Sequence, residues 1–197
     1  MKNKAMISRI CATALLSALC YIGFMFLKIN ITTPAGSTAI HFGNTFCVLA
    51  ALLLGGVQGG IAGAIGMGLA DIMDPLYITS APKTIVLKLM IGIIVGLVAH
   101  RVAHIKEHGE ERTYVIKWTF LASLAGMAFN VIADPLVGFL YKNYILGVNY
   151  EAAKILAAWS SVSTLINAIT SIIIASFLYS ALLPHVKHMP FFQQKQK

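Results

Sequence analysis

The sequence predicts an all-α membrane protein, a bundle of six transmembrane helices with both termini cytoplasmic. Three observations predict it. Of the 197 residues, 58% are hydrophobic and only 11% charged, and the mean hydropathy of +0.79 is beyond the range of an ordinary soluble domain. Apolar runs approaching the roughly 20 residues needed to cross a bilayer recur along the whole chain. The basic residues fall in three groups: Lys2, Lys4 and Arg9; Arg101, Lys106, Arg112 and Lys117; and Lys187, Lys195 and Lys197. An even number of spans puts all three groups on one side, as expected for cytoplasmic segments. Five spans would strand one group outside. The net charge of +8 is thus a topology signal and not a nucleic-acid footprint.

The elements follow in order. Span one is expected over about 8–27; its basic start resembles a signal peptide, but no small-x-small cleavage site precedes a polar segment, so it is read as retained. The polar, turn-rich stretch "KINITTPAGSTAIHFGN" at 28–44 is too long for a tight hairpin. Spans two (about 44–54) and three (60–73) are short for a bilayer and need flanking residues or a protein-shielded setting. In "GGVQGGIAGAIGMG" small residues recur four apart (Gly59 and Gly63; Gly60, Ala64 and Gly68), as do Gly92 and Gly96 in span four (84–103), a pattern for close helix approach. The charged loop "HIKEHGEER" leads to span five (114–133), which ends at Asp134-Pro135, and a second turn-rich stretch leads to span six (152–183). Residues 1–183 form the membrane domain and 184–197 a basic, unstructured cytoplasmic tail. Cys11, Cys20 and Cys47 sit in apolar sequence without CxxC spacing and read as packing residues, so no metal and no cofactor is expected.

Charge inside this apolar chain is concentrated in "GLADIMDPLYITSAPKTIVLK", residues 68–88. Asp71 and Asp74 lie on one face at the outer end of span three, where Pro75 stops the helix. Asp71 is deep, and a charge at depth faces a partner or a cavity; Lys83 and Lys88 are its candidate partners, with Asp71 and Lys88 assigned as a structural pair. Asp134-Pro135-Leu136 echoes Asp74-Pro75-Leu76, each followed by a tyrosine, Tyr77 and Tyr141. At the same level stand Asn30, His41 and Asn44 from the first loop, Asn130 from span five, and Trp159, Ser160, Ser163 and Asn167 from span six, the last three residues sharing a face. Hydrogen-bonding groups among aromatic walls at one end of a bundle suit a pocket for a small polar molecule with a ring. The expected substrate-binding set is Asn30, His41, Asn44, Asp74, Tyr77, Lys83, Lys88, Asn130, Asp134, Trp159, Ser163 and Asn167.

Other classes fit less well. Two aspartates in membrane segments suggest an intramembrane protease, whose pair shares a proton, but neither lies in a GxGD setting. No Ser with a His base, no HExxH and no phosphate-transfer motif is present, so no catalytic residue is named. A structural scaffold would not need convergent polar groups. Ala14 and Ala18, one turn apart in span one, form either an internal packing face or a docking face for another membrane protein.

Taken together, Ala14-x-x-x-Ala18, "AIHFGNTFCVLAALLLGG", "GLADIMDPLYITSAPKTIVLK" and the six-span plan resemble the substrate-binding S component of an energy-coupling factor vitamin transporter, of the riboflavin, hydroxymethylpyrimidine or pyridoxine type. The likeness extends to about residue 183. It implies a six-helix bundle in the cell membrane that captures a vitamin on the outer side under a lid formed by the first loop. It also implies a transmembrane coupling protein and two cytoplasmic ATPases as partners, docked through Ala14 and Ala18. The absence of a GxxxxGK[ST] loop agrees with ATP hydrolysis residing elsewhere. The expected substrates are, in order, a small heterocycle of the pyridoxine or hydroxymethylpyrimidine kind, then riboflavin, then pantothenate or folate.

Overall fold

A computed structural model describes residues 2–33 and 35–193. Helix α1 (Lys2–Met25) leads into a two-stranded antiparallel hairpin, β1 (Lys28–Thr33) and β2 (Gly36–His41). Five further helices follow: α2 (Gly43–Leu54), α3 (Gly56–Met73), α4 (Ala81–Gly96), α5 (Arg112–Leu140) and α6 (Tyr150–Val186). Single π turns extend α4 over Leu97–Val102 and α5 over Tyr141–Ile145, and a short helix, α7 (Pro190–Gln193), closes the described chain. Among the described residues, four stretches are long and apolar enough to cross a membrane: Asn3–Met25, Ile78–Val102, Arg112–Ile145 and Tyr150–Val186. The protein is an all-α membrane protein carrying one small hairpin.

Helix α2, expected as a short span, is enclosed by protein. Its 12 residues rise only about 18 Å, well under the ~30 Å of a bilayer core, but every residue except Phe46 is buried. It packs against α1, α3, α4 and α6, so protein rather than lipid surrounds it. Gly55, at φ +98°, reverses the chain between α2 and α3; only glycine takes this conformation without strain. The glycine pattern serves the expected close approach. A Cβ on Gly92 would lie 2.1 Å from the Gly60 nitrogen, and one on Gly96 would lie 2.2 Å from Gly56 Cα, so α3 and α4 cross with backbones in contact. Cys20 and Cys47 are buried in the core.

Three expectations are corrected. The first loop is a tight hairpin, with Thr33 paired to Gly36, because the β-branched residues of "KINITT" and "GSTAIH" supply strand propensity on both sides of a two-residue turn. Pro34, in that turn, lies outside the described residues. Asp134 does not end span five. Helix α5 carries Pro135 in its interior and continues to Leu140, since packing against α6 outweighs the one backbone hydrogen bond a helical proline removes. Nor is the segment after 183 unstructured. Helix α6 runs to Val186, and Phe192 of α7 is buried beneath the Lys106 ammonium, which donates to its carbonyl oxygen at 3.3 Å. Lys195 and Lys197 lie outside the described residues.

The bundle has two unlike ends. At one, Arg9 donates to Leu54 O and Gln58, Lys106 meets α7, and Lys187 pairs with Glu110. The hairpin covers the other.

Candidate functional site

Beneath the hairpin lies a cavity of about 80 Å³. The end of α1 contributes Phe24, and the hairpin Thr38, Ala39 and His41. Helix α2 gives Asn44, α3 gives Met67 and Asp71, and the following turn gives Tyr77. Helix α4 gives Lys83, Thr84 and Lys88; α5 gives Asn130 and Asp134; α6 gives Leu156, Ser160, Ser163, Thr164 and Asn167. Lys142 reaches the lining from the π turn after α5.

The polar groups divide into those that build the walls and those left free. Asp134 ties three helices together: it accepts from Lys83 Nζ at 2.9 Å, Ser160 Oγ at 2.6 Å and Thr164 Oγ1 at 3.2 Å. Asn167 holds the hairpin with both ends of its amide, accepting from His41 N at 2.8 Å and donating to Ala39 O at 3.1 Å. Ser163 bonds Thr38 at 2.7 Å. On the opposite flank Tyr77 donates to Asn30 Oδ1 at 3.0 Å, and Lys28 is ion-paired with Asp74. The hairpin is therefore fastened to α6 on one side and to the end of α3 on the other.

A second set of atoms has no hydrogen bond, although the Asp71 carboxyl as a whole is held by one from Thr84. Asp71 Oδ2, Asn44 Oδ1, Asn130 Oδ1 and His41 Nδ1 are buried without a hydrogen bond, and among the described residues Lys88 joins no ion pair. Burial, with Lys88 nearby, pushes the His41 imidazole down to about 3, so it is neutral. Each buried polar group left unsatisfied costs roughly 1–3 kcal/mol, and native proteins hold few of them. Four such atoms border this one cavity, more unmet hydrogen-bonding capacity than a packed core of this size ordinarily gathers in one place.

Of the expected site residues, His41, Asn44, Tyr77, Lys83, Lys88, Asn130, Asp134, Ser163 and Asn167 line the cavity. Asn30 and Asp74 stand outside it as fasteners of the hairpin, a consequence of the β1 register, which brings Lys28 to Asp74 and Asn30 to Tyr77. Trp159 is corrected: it is 45% exposed on α6 and does not reach the cavity, because it precedes Ser160 by about 100° of helical turn. The aromatic walls are Phe24 and Tyr77, 5.8 Å apart edge to face. The expected Asp71–Lys88 ion pair does not form; the lysine partners are Lys83 with Asp134 and Lys28 with Asp74. Asp134 can take Lys83 because α5 continues past it and keeps its carboxylate inside the bundle. Thr38, Thr84, Lys142 and Leu156 were not anticipated. Strand alternation puts Thr38 on the face opposite the buried Ala39 and His41, so its bond to Ser163 was not legible from the pattern, and the others have no periodic signal of their own.

Apolar helices enclosing a polar, unsatisfied cavity under a fastened hairpin define a membrane-embedded solute-binding protein. Residues 4–183 match the family described as ECF-type riboflavin transporter, S component, and the chain belongs to that family. It is a multi-pass membrane component of a vitamin transporter and not an enzyme. No curated protein and no solved structure matches the chain.

Proposed function

We propose that this chain is the substrate-capturing subunit of an energy-coupling factor importer, with α1 to α6 all crossing the membrane and both termini cytoplasmic. Residues 1–183 are the binding unit and 184–197 a basic cytoplasmic tail. Arg9, Arg101, Lys106, Arg112 and Lys187 then face the cytoplasm, in keeping with the bias of Lys and Arg toward that side, and the hairpin faces outward as the lid. The observation that carries the reading is the set of buried oxygens without a hydrogen bond, Asn44 Oδ1, Asp71 Oδ2 and Asn130 Oδ1, around the cavity beneath the hairpin. Substrate binds among them; Lys83, Asp134, Ser163 and Asn167 shape the walls, and Asn30, Asp74 and Tyr77 hold the lid.

The substrate is a small B-type vitamin or precursor, of the pyridoxine or hydroxymethylpyrimidine kind before riboflavin, and these before pantothenate or folate. A cavity of about 80 Å³ holds on the order of five to eight waters at ~10–15 Å³ each, in keeping with a single substituted ring. Riboflavin is the second reading, favoured by the family's description; its three fused rings require the hairpin to lift.

Delivery inward requires the coupling protein and two ATPases, and Ala14 and Ala18 are the docking face. Both are exposed on α1, and Ala14 borders an open groove of about 620 Å³ between α1 and α3, walled by Met6, Ile10, Ile61 and Ile65. Exposure argues against the internal-packing alternative for this pair. Replacing both alanines by tryptophan should abolish vitamin uptake and co-purification with the coupling module while leaving vitamin binding to the isolated chain unchanged. Uptake at the parental rate would refute the docking face.

A further inference from the structure

The end of the bundle remote from the hairpin carries a groove of a different kind. It runs between α1 and α3 with a volume of about 620 Å³, walled by Met6, Ile10 and Ala14 on one side and by Ile61 and Ile65 on the other. Thr13 and Ser17 also line it, but each hydroxyl is returned to its own helix, donating to Arg9 O and Thr13 O at 2.9 Å. Arg9 is the one charged residue in the lining. Its Nη2 donates to Leu54 O at 2.9 Å and to Gln58 Oε1 at 2.7 Å, and its Nε makes no hydrogen bond. Among the described residues Arg9 joins no ion pair, so its charge is met by two neutral oxygens. A second cation stands close by: burial, with Arg9 nearby, brings the Lys106 ammonium down to about 8. This end of the chain is short of negative charge.

The position of the cation and the length of the apolar track decide what fits. Arg9 stands about 9 Å along α1 from Asn3, where the first candidate span begins. An arginine at that depth ordinarily snorkels to water; here it is tied back to the end of α2. From Arg9 to Ser17 the helix rises about 12 Å, most of the ~15 Å of hydrocarbon in one leaflet. An apolar track of that length, with a cation near one end, complements a long alkyl chain beneath an anionic head. We propose that the groove seats an anionic phospholipid, with one acyl chain lying between α1 and α3 and the headgroup phosphate accepting from the Arg9 guanidinium. Ile10 and Ala14, one turn apart on α1, face Ile61 and Ile65, one turn apart on α3, across that chain. Basic pockets between membrane helices select anionic headgroups in this way. Placing the lipid in the inner leaflet rests on the orientation proposed above; the binding site itself does not. On the docking reading, this lipid occupies the groove of the free chain and gives way when the coupling protein reaches Ala14.

The test is native mass spectrometry of the full chain purified in detergent and equilibrated with equal amounts of phosphatidylglycerol and phosphatidylcholine bearing identical acyl chains. The parent should retain one phosphatidylglycerol in preference to phosphatidylcholine. Arg9→Gln should lose roughly fivefold or more of that preference, the share of one cation beside an anionic headgroup. Arg112→Gln, at an exposed cation on α5 outside the groove, should keep it. Ile61→Trp fills the groove without changing a charge and should lower retention of both lipids, so the test stays decisive if Arg9→Gln fails to fold. Titration of parent and Ile61→Trp with pyridoxine and riboflavin reads the opposite end and should not distinguish them. If neither vitamin binds the parent while the lipid results hold, the functional reading falls and the lipid site stands. Equal retention of the two lipids by the parent, parental preference in Arg9→Gln, parental retention in Ile61→Trp, or the same loss in Arg112→Gln as in Arg9→Gln overturns the lipid site.

Discussion

Asp134 is the joint through which α4, α5 and α6 meet, and removing it should be the most damaging polar substitution at the hairpin end. Asp134→Ala deletes the acceptor for Lys83, Ser160 and Thr164 at once and leaves Lys83, with 11% of its side chain exposed, without a counter-ion. Breaking one partner of a buried pair costs about 3–5 kcal/mol. At roughly 2–4 °C per kcal/mol for a chain of this size, the empty protein should melt on the order of 10 °C lower. Asp134→Asn keeps an acceptor for the two hydroxyls but not the charge, and should fall between. Glu110→Gln, at an exposed pair with Lys187 in which the Glu110 side chain is 87% exposed, serves as control and should leave the melt unmoved, since surface pairs contribute little. Thermal melts of the purified variants in one detergent measure this. If Asp134→Ala melts with the parent, Asp134 is solvated and the three-helix joint does not exist.

Three further outcomes follow from the geometry. Gly92→Val places a side chain where the Gly60 backbone sits and should prevent recovery of folded protein, whereas Gly109→Ala, whose Cβ meets nothing closer than 3.7 Å, should be silent; size-exclusion profiles separate them. Amides of β1 and β2 should exchange more slowly with vitamin bound than without, as expected of a lid; equal protection in both states removes the lid. Tyr77→Phe deletes the bond to Asn30 and should weaken vitamin binding by about 0.5–1.5 kcal/mol with the melt of the empty protein nearly unchanged; a titration beside a melt checks both.

The helical part of the fold was legible because its signals are local. Apolar runs marked the spans, the glycine spacing at 60, 92 and 96 marked the α3–α4 crossing, and Pro75 marked the end of α3, where Asp74 does form the cap. What escaped the sequence depends on contacts between distant segments. Lys28 meets Asp74 only through the hairpin register, and nothing near residue 28 announces a carboxylate 46 positions away. Asp134-Pro135 reads as a helix exit, yet α6 packing carries α5 through it; a helix boundary at proline is a local rule that tertiary contact overrides. The face formed by Ser160, Ser163 and Asn167 was legible from its spacing, but not that Asn167 is committed to the hairpin. Asp71 and Lys88 were singled out correctly as charges at depth, and their failure to pair is a matter of distances that no pattern encodes.

On the proposed function, the unsatisfied oxygens of Asn44, Asp71 and Asn130 beneath the hairpin hold a vitamin. Native mass spectrometry of the chain purified in detergent, with and without Asn130→Leu, tests it most directly, because Asn130 is 1% exposed with a free Oδ1 and lines the cavity. The parent should carry one small aromatic heterocycle at a one-to-one ratio, and the variant, folded by the same melt, should carry none. A parent that binds nothing when supplied with the vitamins named above, or a variant that retains the ligand in full, would contradict it.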